Sequence, residues 1–179
     1  MARPKRLVLG LGNRLVGEDG FGGAVIELLR RRSDLPAAVD LIDAHTDLLA
    51  HLDTIASYDE AVLVDVVVGA PGTAKPAHDG ASGTPKPDDA RRAESGEGGG
   101  HPGEITVVDE ETFMRWPETS PSCHQISPLL AVKLFRALHP QARTRITLVA
   151  LHANDVRLGP GVAASVVAAG GEAVVRLIS

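Results

Sequence analysis

The chain alternates short apolar runs with stretches whose apolar residues recur at helical spacing. Leu7-Val8-Leu9-Gly10-Leu11 is a continuous apolar run that stops at Gly12-Asn13, the pattern of a buried central strand. Phe21, Val25, Leu28 and Leu29 follow at helical spacing, and Arg30, Arg31 and Arg32 close the last turn, where cations suit the helix dipole. Val39 to Asp43 predicts a second strand, and Leu48, Leu49 and Leu52 a second helix with Thr46 as its N-cap. The unbroken, β-branched run Ala61 to Val68 is the strongest strand signal in the chain. Glu104 to Val108 predicts a strand at a sheet edge, and Ile126, Leu129, Leu130, Leu134, Ala137 and Leu138 predict a helix whose apolar stripe also holds Lys133. Two starts suit that helix: a capping box in Ser122-Cys123-His124-Gln125, or Ser127 as N-cap with Pro128 in the first turn. Arg145 to Leu151 predicts a last strand, and a final helix runs from about Pro160 towards Leu177, weakened by Gly170-Gly171. Strand and helix patterns in alternation predict an α/β fold: a three-layer α/β/α sandwich with a mostly parallel, twisted sheet of about five strands.

Composition changes this picture in one place. From Pro71 to Gly103 there is no Val, Ile, Leu, Met, Phe, Tyr or Trp, so the segment cannot bury enough apolar surface to offset its ordering entropy. It is expected to be a flexible insertion, about 71–103, inside a single domain spanning 1–179; a substrate-docking arm is the functional alternative. Elsewhere 44% of residues are hydrophobic and 3% aromatic, and small aliphatic side chains suit a sheet covered on both faces. A net charge of −5 with well-mixed signs gives no reason to expect nucleic acid or an anionic membrane as partner. Cys123 is the sole cysteine, which rules out an intramolecular disulfide, and the first apolar run is too short for a signal peptide or membrane span. The expectation is a cytoplasmic protein.

Candidate chemistry begins at Gly10-Leu11-Gly12-Asn13-Arg14-Leu15-Val16-Gly17-Glu18-Asp19-Gly20-Phe21-Gly22. A strand, a glycine-rich turn and a helix invite a dinucleotide, but Leu15 stands where the third glycine of that fingerprint belongs, and two acids at the helix entrance repel a pyrophosphate. Glu18 and Asp19 can cap the helix or serve a site, and spacing alone does not separate the two. Asp65 interrupts the apolar run Val62 to Val68, where an unpaired acid is costly; it either bonds neighbouring backbone N–H groups or faces a crevice at the strand ends. His124, at or just before a helix start, would add a nitrogen to the two carboxylates, an open N/O set suited to Ni, Zn, Mn or Fe(II). Cys123 has no evident activating partner. His45 and His152 follow strands and can line the same rim as contacts to a peptide or to metal ligands. H-E-x-x-H, G-x-S-x-G and the P-loop sequence are all missing.

In this order the motifs resemble those of the hydrogenase maturation protease family. The segment Gly10 to Gly22 matches its G-x-G-N-x-L-x-x-[Asp/Glu]-[Asp/Glu]-G-x-G opening, Asp65 its acid ending a hydrophobic strand, and Ser122-Cys123-His124-Gln125 its histidine segment. The likeness covers the chain apart from Pro71–Gly103. Two departures, Ala44-His45-Thr46 and Ala150-Leu151-His152-Ala153, place extra histidines near the expected cleft. The resemblance implies an endopeptidase that removes the C-terminal extension of a nickel-loaded hydrogenase large-subunit precursor. It implies Asp19, Asp65 and His124 as the metal-contacting and catalytic residues, with Glu18 able to replace Asp19. Nickel would be supplied by the precursor, and the enzyme would act as a monomer. A nickel-sensing chaperone that binds precursor without cutting, and a generic metal-dependent hydrolase, are the alternatives.

Overall fold

A computed structural model describes residues 4–68, 101–116, 127–153 and 156–179. The strands are β1 (Arg6–Leu11), β2 (Val39–His45), β3 (Glu60–Val68), β4 (Ile105–Asp109) and β5 (Arg145–Ala153). The helices are α1 (Phe21–Arg30), α2 (Leu52–Ala56), α3 (Glu110–Met114), α4 (Pro128–Leu138) and α5 (Ala164–Ile178). The strands form one sheet in the order β2-β1-β3-β5-β4. β1 runs parallel to β2 and β3, β3 parallel to β5, and β4 lies antiparallel to β5 at the edge, as expected for Glu104–Val108.

Side-chain alternation sorts the core into two layers. Leu7, Leu9, Leu11, Ala61, Leu63, Leu148 and Ala150 face α2, α3 and α4, while Val8, Val62, Val64, Val149 and Leu151 face α1 and α5. The three-layer α/β/α sandwich follows, with α1 on one side of the sheet and α2 on the other. That divergence falls between β1 and β3 in the strand order, and the carboxyl ends of strands at such a point are where open α/β sheets bind ligands.

Several local expectations change. Asp47, not Thr46, caps the turn before α2: its Oδ1 accepts the Ala50 N–H at 3.1 Å. Ser127 caps α4, its Oγ accepting the Leu130 N–H at 3.2 Å with Pro128 in the first turn, so the second of the two predicted starts is the one used. The α4 stripe is rotated from the expected one. Leu129, Ala131, Val132 and Phe135 are buried, whereas Leu130, Leu134 and Leu138 are 49%, 37% and 60% exposed. Periodicity cannot rank two apolar stripes on one helix, and the Phe135 ring beside small Ala131 takes the inner face. Helix α3 is too short to leave a periodic signal in the sequence; Asp109 caps it through the Thr112 N–H. α5 starts at Ala164 rather than Pro160, and its two mid-helix glycines serve packing: a Cβ on Gly170 would lie 2.5 Å from the Phe21 ring, and one on Gly171 2.7 Å from Leu28. Of the insertion expected at 71–103, residues 71–100 lie outside the described residues, and His101–Gly103 form a turn into β4.

Candidate functional site

The glycine-rich segment after β1 is shaped by close approach of backbones. A Cβ on Gly10 would lie 2.4 Å from the Gly22 carbonyl oxygen, and one on Gly22 2.4 Å from that of Val64. The start of α1 is therefore pressed onto both β1 and β3, which only glycine allows. Gly12 turns the chain at a φ of 114°, where a Cβ would overlap the Asp19 carbonyl at 1.7 Å. The loop folds back so that a 3-10 turn, Gly17–Gly20, carries Asp19 over the strand ends.

Asp19 is 1% exposed, and its Oδ2 accepts the Asn13 N–H at 2.7 Å. Neither the 3-10 turn nor α1 has a side-chain cap, so helix capping does not account for Asp19. Its neighbour Glu18 is only half-buried, which makes Asp19 the inward-facing acid of the pair. Asp65 follows Val64 on β3 and is fully buried, with Oδ1 accepting the Val66 N–H at 2.8 Å. A backbone partner for Asp65, one of the two readings of the sequence, is thus real for one oxygen. By alternation Asp65 shares a face with Ala61 and Leu63, on the side of α3 and α4. The structure brings Asp19 and Asp65 to the same end of adjacent strands. His124 and Cys123 lie outside the described residues. Trp116 and Ser127, the described residues that flank their segment, belong to the α3–α4 side.

The two extra histidines differ. His45 ends β2 with its side chain 69% exposed, a φ of 50°, and Asp43 3.5 Å away. His152 does not follow β5 but lies within it, 1% exposed. Its Nε2 lies 2.7 Å from the Thr106 hydroxyl on β4, and its ring is 6.4 Å from that of Trp116. Burial pushes the imidazole pKa below the ordinary histidine value, partly opposed by nearby Glu104, so the ring is held neutral. Thr106 and Trp116 carry no motif that sequence could single out, and both meet His152 only through the fold.

Among the described residues, no group of three or more His, Cys, Asp or Glu is placed to hold a metal ion. Any three-donor set must therefore draw on other residues or on a substrate. A groove of about 420 Å³ on the other side of the sheet, between β4 and α5, is lined by Ile105, Val107, Val166 and Arg176 and holds none of the candidate residues. No described helix is long and apolar enough to cross a membrane.

No family model matches the chain. It is 36% identical over 70 residues, 37% of its length, to the hydrogenase 2 maturation protease of Escherichia coli K12. That match spans 43% of the relative, less than half of its length. The fold matches the hydrogenase maturating endopeptidase HybD from E. coli, with a TM-score of 0.63 and 20% identity, over 97% of this chain and 91% of that one. It also matches the [NiFe] hydrogenase maturation protease HybD from Thermococcus kodakarensis, with a TM-score of 0.64 and 20% identity, over 98% of this chain and 99% of that one. The chain is thus similar in sequence, over part of its length, to a hydrogenase maturation protease, and shares over nearly all of its length the fold of two such enzymes.

Proposed function

We propose that the chain is a cytoplasmic endopeptidase, acting as a monomer, that removes the C-terminal extension of a nickel-loaded hydrogenase large-subunit precursor. The observation that carries this reading is the burial of two carboxylates, Asp19 and Asp65, at the carboxyl ends of adjacent strands in this fold. Acids are costly to bury, and strand ends of an open α/β sheet are where ligands collect; a cation arriving with the substrate would draw on both carboxylates. In this reading Asp19, Asp65 and His124 engage the precursor's nickel, and thiolates of the precursor complete its shell. Peptide hydrolysis then needs a polarised water: its oxygen bonds the scissile carbonyl carbon, the C–N bond breaks, and a proton passes to the departing amine. A carboxylate at the site can carry that proton, and the nickel can polarise the water.

Because the donor set is incomplete without the precursor, metal loading becomes a condition for cutting. The test incubates purified protein with nickel-loaded precursor, apo-precursor and isolated tail peptide, and reads the product masses. Only the loaded precursor should lose its tail, and Asp19→Asn or Asp65→Asn should abolish that loss while the variants stay folded. A loaded precursor bound but uncut would replace the peptidase with a chaperone. Equal cutting of the apo form would remove the nickel checkpoint alone.

A further inference from the structure

We propose that the outer edge of β4, with the groove between β4 and α5, docks an extended peptide ending in a free carboxylate: the tail to be removed. Only the identity of that peptide as the precursor's tail rests on the endopeptidase reading. β4 ends the sheet, and no described strand pairs with its outer side. The His152 N–H donates to the Glu104 carbonyl at 2.9 Å, and Thr106 and Val108 stand opposite Ala150 and Leu148. Backbone groups of an antiparallel pair alternate in direction, so Glu104, Thr106 and Val108 turn theirs to β5. Ile105 and Val107 therefore point their N–H and C=O groups outward, a template on which an extended chain adds a strand. β4 lacks the devices that usually blunt such an edge. It has no proline and no lysine, and its first four residues, Ile105 to Val108, are all β-branched.

The groove supplies that strand with side-chain contacts. Ile105 and Val107 face α5, where small Ala169 and Ala173 leave a hollow of about 420 Å³, and Val107 is 47% exposed in it. Same-face residues of an added strand lie about 7 Å apart, the spacing of Ile105 and Val107, so every second side chain enters the groove. Pro71 to Gly103, which leads into β4, has no Val, Ile, Leu, Met, Phe, Tyr or Trp, so the chain's own lead-in supplies none of those side chains. Charge and register set the direction. Exposed Arg176 lines the groove and pairs with no described acid. The acids that follow Val108 are committed: Asp109 caps α3 through the Thr112 N–H, Glu110 binds Arg136 and Glu111 binds Arg115. An unpaired guanidinium at the end of an apolar groove suits a carboxylate. Arg6, at the start of β1, donates to the Ile178 carbonyl, so the Arg176 end of α5 lies at the amino ends of the parallel strands. Asp65, Ala150 and Thr106 form one row across β3, β5 and β4. The start of β4 is thus about 10 Å from Asp65, a span of about three extended residues. From there the edge leads to Arg176, where the carboxylate of a chain cut near Asp65 would lie.

The test titrates isotope-labelled protein with a pentapeptide of alternating valine and threonine bearing a free C-terminal carboxylate, and with its C-terminal amide, following backbone amide shifts. The free acid should shift the Ile105 and Val107 amides most, and the amide should bind about 10-fold more weakly. Arg176→Gln should weaken the acid by the same factor and erase the difference between acid and amide. Val107→Pro removes an outward N–H that the β5 ladder does not use, so it should keep the fold and weaken both peptides about 10-fold. Ala173→Leu, which fills the groove, decides if Val107→Pro fails to fold. Shifts that avoid β4, affinities that these variants leave unchanged, or no binding at all overturn the proposal. So does a dimer in light scattering that Val107→Pro disperses, because the edge then belongs to a second copy. With nickel-loaded precursor, Val107→Pro should raise the KM of processing several-fold and change kcat little. An unchanged KM overturns the assignment of the tail to this edge. A precursor that wild type never cuts sinks the peptidase reading instead, and the peptide titration still decides this one.

Discussion

Burial makes the His152 imidazole a pH-sensitive element of the fold. Its pKa lies below 6.5 in the folded chain, chiefly through desolvation, and returns to that ordinary value on unfolding. Between the two values the unfolded state binds more protons, so stability rises with pH there and is lost as pH falls below about 6.5. His152→Phe deletes that dependence. Melting curves of wild type and variant, taken from about pH 8 down to about pH 5, should diverge in the variant's favour as the medium becomes acidic. Parallel curves would show that the ring protonates as easily folded as unfolded. The two acids are legible as candidates in the sequence alone, because an aspartate inside a valine run or a glycine loop demands an explanation. His152 is legible there only as a histidine near a strand. Its hydroxyl partner, Thr106, is 46 residues away and meets it through an antiparallel pairing that no local pattern announces.

At the scale of elements, the glycine segment after β1 works as a hinge-free seat for α1. A Cβ on Gly22 would meet the Leu11 oxygen and nitrogen and the Val64 oxygen at 2.3–2.4 Å, all backbone atoms that cannot rotate away. Gly22→Ala should therefore lift α1 from the sheet at a cost of about 1–3 kcal/mol or more. For a domain of this size that means a melting temperature lower by about 2–4 °C per kcal/mol. The same shift moves the Gly17–Gly20 turn and with it Asp19, so processing should fall further than stability does. Gly161→Ala, with open space around its Cβ position, is the control and should change neither. A Gly22→Ala chain that melts and processes normally would refute the close-packing account. The strands are readable because each buried one is a near-continuous aliphatic run, and the edge position of β4 follows from its shorter, half-polar pattern. Which stripe of α4 turns inward is not, because Leu130, Leu134 and Leu138 repeat as regularly as the residues that are buried. That choice is made by the shape of the neighbouring layer.

Across the whole molecule, stability should grade outward from the centre of the sheet, and the candidate site lies where the gradient is steep. β1, β3 and β5 are buried along most of their length, whereas β2 and β4 are largely half-buried or exposed. Amides in the three central strands open only by global unfolding, while those of β2 and β4 exchange through smaller openings. Asp65 and His152 stand on the rigid strands; Asp19 hangs on a short 3-10 turn, and Thr106, which orients His152, sits on the edge strand. Native-state hydrogen exchange should therefore rank β1, β3 and β5 slowest, and β2 and β4 faster. Adding nickel-loaded precursor should slow exchange in the Gly17–Gly20 turn, which carries Asp19, because β3 has little protection left to gain. β2 also exchanges early but carries none of the buried candidates, so its protection should stay where it was. A gain centred on β2, or a sheet that exchanges uniformly, would place the substrate elsewhere on the molecule and detach Asp19 from its binding.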